Sequence, residues 1–311
     1  MPLIALKVDV DTFRGTKEGV PTLIRLLSQY QAGATFLFSM GPDNTGRALR
    51  RVFRPGFFRK VKRTSVLEHY GLKTLLYGTL LTAPDIGRDA ADEMRSARDA
   101  GFECGIHAWD HVDWQDNVRT ADVEWTRNRI RQACDRFIDI FQDAPGTHGA
   151  AGWQMNEHAF EIESAYGFRY ASDGRVALTE TGALASVKAG PHYLKVGNRT
   201  LSCIQMPTTL PTLDELIGRR IGGIEITPDI VADHLLGLTR TGRDHVFTLH
   251  AELEGQKLAP VFESLLKGWK EQGYLCISLA DYYGKIKHEP LPTRKMQWGE
   301  IPGRSGPLIV S

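Results

Sequence analysis

One pattern recurs four times along the chain: a helical stretch ends in a glycine and a short apolar run follows at once. It occurs at Gly33 before ATFLFSM, Gly101 before FECGIH, Gly167 before FRYASD and Gly273 before YLCISL. A glycine just past a helix takes the left-handed conformation that satisfies the last carbonyls, and the β-rich run after it reads as a buried strand. The helices between carry start signals: Asp85 before 86–100, Thr120 before the amphipathic stretch to Phe141, and Asn156 before 157–166. Thr227-Pro228 reads as a cap followed by proline at the first helical position. Short strands alternating with longer helices predict right-handed βαβ units, a parallel sheet and enough units for a closed β/α barrel. Two stretches break the rhythm. Residues 41–85 form an insertion, and 188–225 hold short β-like runs (HYLKV, LSCIQM) expected to decorate the barrel. The chain therefore divides into a catalytic unit over 1–288 and a Pro- and Gly-rich, loop-like tail over 289–311.

Composition adds limits. The 311 residues are 42% hydrophobic and 24% charged, which excludes a disordered chain, a fibre or a bundle of membrane spans. The four cysteines form no C-x-x-C pair, so a zinc ribbon is not available, and they suit a reducing compartment. The start, MPLIALKVDVDTF, lacks the pattern of a secretory signal, which points to the cytoplasm. The longest near-apolar run, around 75–83, is far short of the roughly 20 residues that span a bilayer.

Ionisable residues close four of the predicted strands. LIALKVDVD ends in Asp9 and Asp11, FECGIH in His107, FRYASD in Asp173 and HVFTLH in His250. In a β/α barrel the carboxyl ends of the strands converge on one face, where active sites are built. Such groups are costly to bury unless paired or metal-bound. Asp9 and Asp11 are two apart and share a face of an extended strand, so a cation or a shared proton is expected between them. His107 and His111, in HAWDH, are four apart, and in a helical turn both rings can chelate one divalent ion. The missing H-E-x-x-H glutamate argues against a zincin protease. An aspartate from the first strand completes three protein ligands with positions left for water, the layout of a catalytic metal site. Asp-His-His suits Zn, Co, Mn or Ni. His250 is the candidate general acid, with Asp173 the best-placed carboxylate to orient it. Each residue alone also has a plainer reading, an exposed strand-end carboxylate or a hydrogen-bonded core histidine. The four strand ends together are more informative than any one.

Five ordered motifs, VDVDT, GIHAWDHVDWQD, THGAAGWQMN, YASDGR and FTLHAELEG, resemble the metal-dependent polysaccharide deacetylases, carbohydrate esterase family 4. Within that family they look like the deformylases of undecaprenyl-phosphate-linked formamido-arabinose. The resemblance implies an α/β fold, a distorted, TIM-like (β/α)7 barrel. It implies Asp9 as catalytic base, Asp11, His107 and His111 as metal ligands, His250 as catalytic acid and Asp173 as its tuning carboxylate. Family members usually carry an arginine in the third motif, aligned near His148 here, that holds the base. THGAAGWQ has none, and the usual Asp-Asp pair is spread to Asp-x-Asp. His148 is kept as a substrate-side candidate, and Trp109, Trp114 and Trp153 as rings that could stack on a sugar. The implied biology is aminoarabinose modification of lipid A and resistance to cationic peptides such as polymyxin.

Charge finally changes the picture of the insertion. The whole chain has a formal net charge of +1, which predicts no general pull toward anionic partners. Residues 47–73, however, hold nine Lys and Arg, among them Arg50, Arg51, Arg54, Arg59 and Lys60, against the single acid Glu68. Phe53, Phe57 and Phe58 are interleaved with them. A basic amphipathic segment reads as an interfacial membrane contact, here on the cytoplasmic face of the inner membrane, and matches a polyprenyl phosphate. A solvated basic loop is the plainer alternative, and no nucleic-acid motif is present. A monomer is expected. The competing functions are a deacetylase of another N-acylated sugar or polysaccharide, and a non-catalytic barrel that binds polyprenyl lipid.

Overall fold

The computed structural model describes residues 1–48, 71, 73–186 and 188–311. The strands in chain order are β1 (Leu3–Val10), β2 (Thr35–Ser39), β3 (Glu103–Ala108), β4 (Thr147–His148), β5 (Tyr170–Ala171), β6 (His192–Val196) and β7 (Arg199–Gln205). They continue as β8 (Arg220–Ile221), β9 (Ile224–Glu225), β10 (His245–His250), β11 (Leu275–Ile277), β12 (Thr293–Lys295), β13 (Gln297–Gly299) and β14 (Leu308–Val310). Every residue of β1 is buried, as expected of a central strand in a parallel sheet. β10 runs parallel to it and brings His250 level with Asp9. β2 pairs with Lys7–Val10 and β11 with Leu3–Ala5, so two strands share the length of β1. From β2 the sheet continues in parallel through β3, β4 and β5 to β7. The mainly parallel α/β architecture matches the expectation. Among the described residues the pairings form one path from β10 to β12 and not a closed ring.

Several local readings need correction. Gly101, Gly167 and Gly273 do take positive φ, at 89°, 81° and 80°. After the first helix, Val20–Gln29, the left-handed residue is Gln31, not Gly33. Gly33 is required for another reason: a Cβ there would lie 2.9 Å from the backbone nitrogen of Ser278. Asp85 and Asn156 cap as expected, through Arg88 N and Ala159 N. The long helix, Val123–Phe141, is capped by Asp122 and not Thr120, because the carboxylate reaches Trp125 N. The helix after Thr227-Pro228 begins only at Val231. HYLKV and LSCIQM do not decorate the sheet but join it, as β6 and β7, with β6 antiparallel to β7. No helix among the described residues is long and apolar enough to cross a membrane.

The tail is not loop-like. β12 pairs with β6, and β13 with β14 forms a hairpin. Arg175 N donates to Ile309 O at 2.9 Å, and Ser311 N donates to Arg175 O at 2.9 Å. Ile301 and Leu308 pack against Trp153. The Arg304 guanidinium reaches buried Glu215 at 2.7 Å, where Arg175 is already paired. Short strands that pair with distant segments leave little local signal, which is why Pro and Gly dominate the reading of this stretch. Leu308→Ala is expected to remove about 2–5 kcal/mol of stability and lower the melting temperature on the order of 10 °C. An unchanged thermal melt would return the tail to a passive loop.

Candidate active site

The site is assembled at the carboxyl ends of β1, β3 and β10. Because β-strand side chains alternate with period two, Lys7 and Asp9 share one face of β1, and Asp11 follows just beyond its end. β3 ends with His107 buried, and Asp110 then caps the helix His111–Asn117 by accepting from Val112 N and Asp113 N at 3.1 and 3.0 Å. The cap places His111 in the first turn, its ring 5.3 Å from that of His107. His107 Nε2 lies 3.2 Å from Asp11 Oδ1, and His111 Nε2 lies 3.5 Å from Asp11 Oδ2.

This trio fits a divalent ion on its own geometry. The ligand atoms of Asp11, His107 and His111 all lie within 4.8 Å of one another. His107 Nδ1 is 2.5 Å from Gly149 O, and a carbonyl can only accept, so Nδ1 carries the hydrogen. In the neutral ring Nε2 then presents its lone pair to the Asp11 carboxylate, and two acceptors face each other unless a cation lies between them. Asp11 Oδ1 is buried with no hydrogen-bond partner among the described residues. Burial alone would push the Asp11 carboxyl up; when the His111 and His107 rings are protonated and no metal is bound, their positive charge outweighs burial and holds the carboxyl below the usual carboxylate range.

Two glutamates that sequence reasoning passed over buttress this center. Glu252 Oε1 accepts from Asp11 N, Thr12 N and Thr12 Oγ1 at 3.0, 2.9 and 2.8 Å. Burial and the Asp11 charge push its carboxyl well up. Glu254 accepts from His250 N at 2.8 Å, and burial pushes it up to about 8. Both belong to HAELEG, so the signal was two acids closely following a strand-end histidine. Lys7 is the third omission, its ammonium 3.3 Å from Asp9 Oδ2.

The other expected site residues fall differently. His250 is half-buried, and its Nδ1 has no hydrogen-bond partner among the described residues. The hydrogen bonds of Asp173 Oδ1 run to Ala150 N at 2.9 Å and toward His148 Nδ1 at 2.8 Å. His148 also meets Glu163 at 2.6 Å. Burial opposes charge on His148, yet Asp173 and Glu163 prevail and raise it to about 10. His148 is thus a buried member of an ion cluster and not a residue facing substrate. Trp153 is only 1% exposed, with the cations of Lys7, Arg175 and Arg304 at 5.2, 4.6 and 4.5 Å from its ring, so it offers no surface to a sugar. Trp114 is likewise buried and donates to Gln154 O at 2.8 Å. Trp109 is half-buried, with Arg136 5.2 Å from its ring. Arg50, Arg51, Arg54, Arg59 and Lys60 lie outside the described residues. The near root of their insertion is fixed at the site: Asn44 Nδ2 donates to Asp110 at 2.6 Å, and Phe13 N donates to Asp43 at 2.9 Å. Asp43 N donates to Pro84 O at 2.9 Å, which ties the two roots together.

The chain is similar to known proteins over most of its length. The sequence profile of the family described as polysaccharide deacetylase matches residues 2–171. The chain is 33% identical, over 97% of its length and 92% of the relative's, to the "Probable 4-deoxy-4-formamido-L-arabinose-phosphoundecaprenol deformylase" of Shewanella sediminis (strain HAW-EB3). It is 31% identical, over 94% of its length and 96% of the relative's, to a protein of the same description from Wigglesworthia glossinidia brevipalpis. Among solved structures, a Mycobacterium smegmatis protein assigned to the polysaccharide deacetylases shares the fold with a TM-score of 0.64 at 16% identity, covering 96% of this chain and 94% of that one. A GH57 branching enzyme from Thermococcus kodakaraensis shares it at 0.57 and 12% identity, covering 94% and 72%.

Gly149 joins two parts of the site. Its carbonyl orients His107, and a Cβ on it would lie 2.4 Å from Leu37 Cδ1 and 2.7 Å from Lys7 Cε. Gly149→Ala must therefore displace the buried Leu37 or Lys7 side chain or move that carbonyl, and where the carbonyl moves, divalent-metal affinity measured by calorimetric titration is expected to fall about 10–100-fold. Unchanged affinity would separate Gly149 from the metal center.

Proposed function

We propose that this chain, which belongs to the polysaccharide deacetylase family, is a metal-dependent hydrolase that removes the N-formyl group from 4-deoxy-4-formamido-L-arabinose carried on undecaprenyl phosphate. The observation that carries the reading is the arrangement of Asp9 beside the Asp11–His107–His111 trio, with His250 level with it on the neighbouring strand. A divalent ion, Zn, Co, Mn or Ni, held by those three ligands supplies a Lewis acid and a water of lowered pKa. Asp9 takes a proton from the water that attacks the formyl carbon. His250 gives a proton to the sugar nitrogen as the C–N bond breaks, and formate and the free amine leave. Glu252 keeps Asp11 and Thr12 in place throughout, because three hydrogen bonds converge on one of its oxygens. The product is the amino sugar used to modify lipid A, which lowers the affinity of the outer surface for polymyxin and similar peptides.

The basic insertion supports a lipid-linked substrate. The described ends of the insertion, at Asp43–Asn44 and Pro84, adjoin the cap of the His111 helix, and the sequence between them holds nine Lys and Arg over residues 47–73. Arg50, Arg51, Arg54, Arg59 and Lys60 are assigned to the phosphate and the anionic surface of the inner membrane, where the protein works as a monomer on the cytoplasmic face.

The direct test is formate release from a formamido-arabinose polyprenyl phosphate against acetate release from an acetylated glycan, with and without chelator. Formate release that stops with chelator and returns with added divalent ion is expected, whereas preference for the acetylated glycan would sink the assignment. Asp9→Asn is expected to keep metal but lose about 10²–10⁴-fold in kcat, and His107→Ala to lose both. Neutralising the five named cations is expected to weaken liposome flotation, and a variant that floats as well as wild type would remove the membrane contact.

A further inference from the structure

Lys7 sits in the middle of a strand whose eight residues are all buried, and it is itself 0% exposed. A lysine is almost never fully buried without a dedicated partner. Here the partners are specific. Nζ lies 3.3 Å from Asp9 Oδ2, donates to Ser172 O at 2.9 Å and sits 5.2 Å from the Trp153 ring centroid. The stem passes the space left by Gly149, where a Cβ would be 2.7 Å from Cε and 3.1 Å from Nζ. The chain therefore gives up a side chain in the third motif to admit the ammonium.

The consequence for Asp9 is an asymmetric carboxylate. Oδ2 is held by Lys7, whereas Oδ1 is buried with no hydrogen-bond partner among the described residues. Its approach to His107 Nδ1, at 3.7 Å, is too long for a hydrogen bond, and that nitrogen is committed to Gly149 O. One oxygen is anchored and the other is left to accept a proton.

We propose that Lys7 is the positioning residue for Asp9, fixing Oδ2 so that Oδ1 faces the reacting water. It reaches the carboxylate from the base's own strand, two residues earlier. The proposal rests on Asp9 being the base. A lysine that served only to hold the fold together would leave the rate of a folded variant alone, which gives a test.

Formate release by the full-length enzyme is measured for Lys7→Gln, Lys7→Arg, Asp9→Asn and the Lys7→Gln/Asp9→Asn double variant, each checked for folding by its thermal melt. Lys7→Gln is expected to lose about 10²-fold in kcat with little change in KM, as expected for a misplaced catalytic group. Lys7→Arg is expected to recover most of that loss. The double variant is expected to be no slower than Asp9→Asn alone, because residues acting through one another are not additive. Where Lys7→Gln does not fold, Lys7→Met, of equal reach, is read in the same way. A folded Lys7→Gln or Lys7→Met with wild-type kcat, an Arg variant as slow as the Gln variant, or a double variant slowed multiplicatively would overturn the proposal. Full turnover by Asp9→Asn would instead overturn the base assignment, a separate result.

Discussion

The structure is organised around one electrostatic problem: two carboxylates, Asp9 and Asp11, buried at the end of the fully buried strand β1. Neither charge could persist there alone, since burying an unpaired ion costs several kcal/mol. The surrounding elements each supply part of the compensation. β1 itself provides Lys7, β3 and the helix after it provide two imidazoles, and the loop after β10 provides Glu252 to receive the backbone amides of Asp11 and Thr12. A metal ion fits the remaining deficit because both imidazoles and the second carboxylate point their ring nitrogens and oxygens toward one place.

The parts of this arrangement that could be read from sequence are those with a local signature. Asp9 and Asp11 lie two apart at the end of β1, and His107 and His111 lie four apart between the end of β3 and the first turn of the next helix, so their spacing predicts that each pair faces one way. His250 is legible because it closes an apolar run. The rest depends on partners far away in the chain. His148 becomes a buried cation only through Glu163 and Asp173, neither of which its own motif specifies. Glu252 and Glu254 look like any solvated acidic turn until the fold brings them against two strand ends. Lys7 did leave a signal, a lone cation within LIALKVDV, but a pattern searched for carboxylates gives it no role. The tail reads as a loop because its strands are three residues long, and β12 pairs with β6 one hundred residues earlier while β13 and β14 pair with each other across a Pro- and Gly-containing loop.

Trp153 illustrates how residue type can mislead. A tryptophan in a motif beside the metal center suggests a sugar platform, yet here its ring is the meeting point of three cations from separate parts of the chain. Aromatic faces attract cations most strongly when both are withdrawn from water. The ring thus links Lys7, near the reacting end of the molecule, with Arg175 and Arg304, through which the tail is tied to Glu215. The tail supports the floor beneath the site and does not merely follow the last helix.

The alternation along β1 has one further consequence. Lys7 and Asp9 occupy one parity of the strand, while Leu6, Val8 and Val10 fill the other and belong to the main apolar core. The insertion or loss of one residue within β1 would exchange the two sets. Branched hydrocarbon would then face Asp11, His107 and His111, and an ammonium and a carboxylate would be driven into the packing beneath the helices. A single substitution in this strand alters one side chain on one face, whereas a shift of its frame exchanges both faces at once. A change of chain length outside β1 leaves that parity intact.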